Sequence, residues 1–263
     1  MASEWIGILV DGRDMRAYLS RPETTGKVPG VVVITEDFGV NKHIQEVTDK
    51  LSREGYVAVA PVLYHRLGSN PLFSYTGEDA DARTGAMGSL RDAELRRDFN
   101  TTIASLKGHA RVKADRLGIV GFCVGGRIAY LAATSCPGLS AAVVYYGGRI
   151  PIPFGDGPAP FERAADMQCP AMGNFGEDVA GVVVRVASMV RRAGSTADPP
   201  WRDRGDAARD IYGGTSHDID ELTILRLRWL GRRNRSWTRG PYRPLPKPGG
   251  REYLGIDRRG AAV

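Results

Sequence analysis

A thiol becomes a catalytic nucleophile when it sits on a sharp turn with a base in reach, and one cysteine of this chain has the sequence for such a turn. Cys123 is the centre of Gly121-Phe-Cys-Val-Gly125, preceded by Leu117-Gly-Ile-Val120 and followed by Gly126-Arg-Ile-Ala-Tyr130. The first apolar run reads as a short buried strand, the second as the start of a helix. A strand that turns abruptly into a helix at Gly-x-nucleophile-x-Gly pushes the central side chain out over the sheet edge. The flanking glycines permit this because they carry no Cβ where strand and helix must touch. Cys123 is the candidate nucleophile, with an ordinary buried core cysteine as the alternative.

A thiol of ordinary pKa is only a few per cent thiolate near neutrality, so it needs a base or a positive field. Of four histidines, His43, His65 and His109 precede the turn and are expected in surface roles. His217, in Tyr212-Gly-Gly-Thr-Ser-His-Asp218, follows a possible last strand at residues 209–212. The chain order nucleophile, acid, histidine makes it the candidate base. For the acid, Asp178 follows the apolar run Pro170–Phe175, with Glu177 as its neighbour. Glu36 stands apart, because it follows the buried run Val31–Ile34 almost directly, in Thr35-Glu-Asp-Phe-Gly39. At that strand end the N–H of Asp37, together with the N–H of Val124, is placed to form an oxyanion hole. A carboxylate beside a thiol either raises its pKa by repulsion or takes its proton and holds it quiet.

The elements that must position these groups alternate between the two periods. Trp5–Val10 and Met15–Leu19 read as a hairpin closed by Asp11-Gly12. Val31–Ile34 is a β-branched strand, His43–Glu54 a helix stopped by Gly55, and Tyr56–Ala60 a strand before Pro61. Residues 66–80 form a polar loop, and Ala86–Leu106 carries one continuous apolar stripe, read as a single long helix. The nucleophile strand and its helix follow, then strands at 141–146 and 170–175. This alternation specifies the α/β class: a mostly parallel sheet flanked by helices and wound with right-handed crossovers. Beyond Asp178 the pattern weakens. Val182–Arg192 is a candidate helix, Pro199–Asp206 is turn-rich, and from Asn234 arginine, proline and glycine dominate without an apolar period.

The chain has 263 residues, 42% of them hydrophobic, enough for one full core. Its net charge of +6 is lopsided. Residues 223–263 hold ten arginines and Lys247 against Glu252 and Asp257, a net of +9, which leaves −3 for residues 1–222. Accordingly, residues 1–222 are expected to form the catalytic domain and 223–263 a basic Arg/Pro/Gly-rich segment. No aromatic-interleaved groove accompanies that charge, so nucleic acid is not the expected partner. Three cysteines without framework spacing fit free thiols in a reducing cytoplasm. No leader and no membrane-spanning run is expected, no Cys/His cluster calls for a metal, and no cofactor is needed.

Four segments together resemble the dienelactone hydrolase (carboxymethylenebutenolidase) family: Thr35-Glu-Asp-Phe-Gly39, Ala60-Pro-Val-Leu-Tyr64, Gly121-Phe-Cys-Val-Gly-Gly126 and Ala142-Val-Val-Tyr-Tyr-Gly-Gly148. The likeness covers residues 5–178. It implies an α/β-hydrolase fold with an eight-stranded sheet, and a triad of Cys123, Asp178 and His217 with Glu36 gating the thiol. The implied reaction is hydrolysis of a small unsaturated lactone, by a monomer or a dimer. It also implies a substrate-binding role for Arg83, whose alternative is a solvated loop arginine. The chain departs from the family pattern in its last third. The family's acid falls three residues after the glycine, where Val179 stands, and His217 lies farther on than the pattern has it. Where the family carries an arginine after the histidine, this chain has Asp218, Asp220 and Glu221. A diverged or frame-shifted segment from about residue 179 accounts for these departures together. Two other readings stay open: an esterase or thioesterase of other small substrates, and a catalytically impaired scaffold whose basic tail binds nucleic acid or an acidic partner.

Overall fold

The computed structural model describes residues 1–174. Strands β1 (Ala2–Val10) and β2 (Arg13–Arg21) form the expected hairpin, in register from Ala2 opposite Arg21 to Val10 opposite Arg13. Its two-residue turn has φ of 51° at Asp11 and 76° at Gly12. Positive φ at both central residues gives a turn whose twist matches that of the strands, and Asp-Gly tolerates it.

From there β3 (Val28–Ile34), β4 (Val57–Pro61), β5 (Val112–Phe122), β6 (Ala141–Tyr145) and β7 (Ala171–Asn174) pair in parallel. Among the described residues the sheet has seven strands in the order β1-β2-β4-β3-β5-β6-β7, with the hairpin antiparallel at one edge. Helices α1 (Lys42–Arg53), α2 (Ala80–Ser89), α3 (Asp92–Gly108) and α4 (Val124–Ser135) make the crossovers, and a 3-10 helix spans Pro160–Asp166.

Alternation along the strands explains the two-sided core. In β3, Val32 and Ile34 face one cluster with Phe99, Ile103 and Ile128, whereas Val31 and Val33 face the other with Ile44, Val47 and Leu51. Both faces are covered, so the strand reads as an unbroken apolar run. Each of these side chains contributes roughly 1.5–3 kcal/mol by leaving water. α1 begins where the Asn41 side chain accepts the Ile44 N–H at 3.1 Å, and the chain leaves it through Gly55 at φ 91°.

Two expectations need correction. The stripe Ala86–Leu106 is not one helix: α2 ends at Ser89, and Leu90 and Arg91 are extended before α3 begins. The restart is fixed from outside the helix. The Asp92 N–H bonds Phe154 O at 3.1 Å, and the buried Asp92 carboxylate accepts from Arg163 Nη2 at 3.0 Å. Leu90 and Leu95 both stay buried across the break, so the apolar stripe runs through it. His65 is not a surface residue either. Its ring is fully buried, Nε2 lying 3.3 Å from Asp98 Oδ2, while Arg66 grips the same carboxylate with two bonds of 2.7 and 2.8 Å. The pairing raises the cost of breaking any one member, because a buried charge would be stranded.

Topology then dictates where a site can form. The chain leaves β3 for β4 on one side and returns to β5 on the other, so the crossovers diverge between β3 and β5. The crevice at the carboxyl ends of these two strands is where open α/β sheets bind ligands. In register, Ile34 pairs with Gly121, which sets Thr35–Asp37 beside Phe122–Val124.

Candidate active site

Cys123 caps β5 with φ 54° and ψ −118°, a conformation that side-chain-bearing residues rarely hold. Such strain costs about 1–3 kcal/mol and persists only where its surroundings over-determine it. Two contacts do so here. The Cys123 N–H bonds Tyr145 O at 3.1 Å, and its carbonyl accepts the Arg127 N–H at 3.2 Å. The glycines make the turn possible. A Cβ on Gly121 would overlap the Gly125 carbonyl, and one on Gly125 would press on Thr35 O and, at 2.6 Å, on Ile34 O. Thus α4 lies directly on the strand end that carries Glu36. That turn is itself held by the Thr35 hydroxyl, which donates to Gly39 O at 2.6 Å.

Glu36 is 6% exposed, and the Tyr146 hydroxyl donates to its Oε1 at 3.2 Å. Tyr146 leaves β6 at φ 38°. Asp37 faces Arg83, whose Nε lies 3.4 Å from Asp37 Oδ2, with the guanidinium 4.8 Å from the Phe38 ring centre. Arg83 belongs to α2 and is mostly covered, so the solvated-loop alternative falls away. Phe38 packs on Tyr75 with ring centres 4.2 Å apart.

These neighbours set the state of the thiol. Burial, then the carboxylates of Asp37 and Glu36, push Cys123 up to about 11, against the opposing pull of the Val124 N–H and Arg83. The Tyr64 hydroxyl is raised as well, by burial first and then by Asp37 and Cys123. It is buried with no hydrogen-bond partner among the described residues. The described groups around the sulfur thus disfavour its thiolate form.

Alkylation of the folded protein by iodoacetamide will fall on Cys123, since Cys136 and Cys169 are each 1% exposed. Because the pKa is raised, the rate will climb with pH through 9 and level off only near 11, read by mass spectrometry of the labelled peptide. Glu36→Gln removes one of the two repelling charges. The profile should then shift to lower pH, with labelling at pH 8 faster by roughly three- to tenfold.

Residues 15–189 match the model of the dienelactone hydrolase family. The chain belongs to the dienelactone hydrolase family. A "Putative carboxymethylenebutenolidase" of Synechocystis sp. is 41% identical over 134 residues, covering 51% of this chain and 54% of that protein. A "Probable 2-oxo-3-(5-oxofuran-2-ylidene)propanoate lactonase" of Bradyrhizobium sp is 37% identical, over 56% of this chain and 57% of its own length. A crystal structure of a "Putative Dienelactone Hydrolase" from Klebsiella pneumoniae superposes with a TM-score of 0.57 at 33% identity, covering 65% and 71% of the two chains. The chain thus spans little more than half the length of the two curated relatives.

Within this dienelactone hydrolase family member, four sequence candidates come together at one strand-end pair: Cys123, Glu36, and the backbones of Asp37 and Val124. Arg83 joins them through Asp37. Asp178 and His217, and the proposed boundary at residue 223, lie outside the described residues. Among the described residues, no helix is long and apolar enough to cross a membrane. Sequence reasoning passed over Tyr64, Tyr146 and Phe38. Each stands in one of the four family-like segments, and a tyrosine at a buried strand end is the signal that could have marked them.

Proposed function

We propose that this chain hydrolyses small carboxylic esters, lactones included, with Cys123 as the nucleophile. The observation that carries the reading is the strained elbow. Cys123 is held at φ 54° between β5 and α4, one strand away from the backbone of Asp37. In the proposed reaction the thiol proton passes to His217, which Asp178 orients, and the sulfur attacks the carbonyl carbon. The C–S bond forms as the carbonyl π electrons move to oxygen, and that oxyanion is held by the N–H groups of Asp37 and Val124. Collapse breaks the acyl C–O bond, opening the ring of a lactone, and the leaving oxygen takes the proton from His217. Water then attacks the thioester, giving its proton to His217. The C–S bond breaks, the sulfur takes that proton back from His217, and the product acid loses its own proton to solvent to leave a carboxylate. Glu36, held by Tyr146, keeps the resting thiol protonated until substrate enters. The names borne by the Synechocystis and Bradyrhizobium relatives favour a lactone among such esters.

The test is hydrolysis of p-nitrophenyl acetate and of a dienelactone by the purified chain, beside Cys123→Ala and His217→Ala. Turnover lost in both variants supports the triad. Turnover that survives in Cys123→Ala sinks it.

A further inference from the structure

The turn after β3 carries the Asp37 N–H, and a second segment of the chain is fastened to it from outside. That segment, residues 71–79, lies between β4 and α2. The Phe73 N–H bonds Phe38 O at 3.1 Å. The Tyr75 ring lies on the Phe38 ring at 4.2 Å, and its hydroxyl accepts the Asn41 side-chain N–H at 2.7 Å. Asn41 is itself fixed, because its side-chain oxygen caps α1. Gly39 holds φ 83° at this contact, and a Cβ there would strike Pro71 O. The far end of the segment is locked as well. Asp79 stands at the N-cap of α2 but makes no capping bond; both its carboxylate oxygens accept the Ser74 N–H instead, at 2.8 and 3.0 Å. α2 also sends Arg83 to the same turn, at Asp37 and over the Phe38 ring.

Tyr75 is 58% exposed, so it adds little to the core, and its ring and hydroxyl are both spent on residues 38–41. A donor to an oxyanion works best when it is aimed before the charge develops. Resting on the reading of Asp37 as such a donor, we infer that Tyr75 is a positioning residue for the reaction at Cys123. It clamps Phe38 and so fixes the backbone that bears the Asp37 N–H, and Asp79 sets the clamp through Ser74.

Two reactions at Cys123 separate a misplaced donor from general damage. Acylation by p-nitrophenyl acetate and the hydrolysis that follows both pass through an oxyanion. Alkylation by iodoacetamide displaces iodide at a saturated carbon and forms none. Tyr75→Ala should lower kcat for p-nitrophenyl acetate by about tenfold, with KM and the alkylation rate each within about twofold of wild type. Tyr75→Phe keeps the ring on Phe38 and should recover most of that loss. Asp79→Ala should repeat the pattern with a loss of about threefold, transmitted through Ser74. Because Tyr75 is exposed, its variants leave the core intact. Unchanged turnover in both Tyr75→Ala and Asp79→Ala would overturn the inference. So would alkylation that slows in step with turnover, since the damage is then general. A rise in KM with kcat kept would also overturn it, by making Tyr75 a substrate contact. A wild-type chain that is alkylated at Cys123 yet never acylated would instead refute the hydrolase reading, and the positioning role with it.

Discussion

Replacing Cys123 with alanine is expected to lower kcat/KM for p-nitrophenyl acetate by about ten-thousandfold or more, while leaving the protein folded. The size follows from what the side chain would do. Removing the nucleophile of a triad leaves only binding and the oxyanion hole, and the residues acting with it lose their effect together. Stability should move little, and upward if at all. The strained φ of 54° remains in the variant, but a thiol buried beneath two carboxylates is no longer present. Thermal unfolding followed by circular dichroism, alongside the kinetics, separates the two effects. A variant that unfolds early would point to a packing role for Cys123. A folded variant with undiminished turnover would remove it from the chemistry.

The second large effect belongs to Gly125. A methyl group there would press on the carbonyls of Thr35 and Ile34, both backbone atoms that no rotamer change can relieve. Either α4 must lift from the sheet or the end of β3 must give way. Gly125→Ala should therefore destabilise by about 3 kcal/mol or more, well outside the range of ordinary substitutions. Activity should fall further than the folded fraction does, because the β3 end carries Glu36 and the Asp37 N–H. Urea unfolding gives the first quantity, and turnover per folded molecule at low urea gives the second. Ala at Gly88, where a Cβ would meet nothing, is the control for the general effect of replacing glycine in a helix.

The elbow was legible in the sequence because its physics is local. The motif's two glycines, an apolar strand and a helix start occupy fourteen consecutive residues, Leu117–Tyr130, and few other structures need that arrangement. Glu36 was legible for the opposite reason: a carboxylate one residue beyond four buried-strand residues has no ordinary use. The parallel sheet followed from Val31–Ile34, whose unbroken β-branched run makes sense only with both faces covered. What stayed hidden depends on residues far apart in the chain. The break at Leu90–Arg91 is imposed by Phe154 and Arg163, which hold Asp92 from outside the helix. The burial of His65 depends on Asp98, and the engagement of Arg83 depends on Asp37. Tyr146 reaches Glu36 across 110 positions. Period and propensity report what a residue's neighbours do, and these pairings form only when segments distant in the chain meet in the fold. Asp178 and His217 were chosen by chain order and by their places after candidate strands, and both lie outside the described residues.

The most direct test of the central claim is to trap the acyl-enzyme. The wild-type chain is mixed with p-nitrophenyl acetate, quenched in acid within the first turnovers and digested for peptide mass spectrometry. One acetyl group, released by hydroxylamine as a thioester is, is expected on the peptide that carries Cys123. Acetyl found only on lysine or serine, or turnover with no acyl group on Cys123 at any quench time, would contradict it.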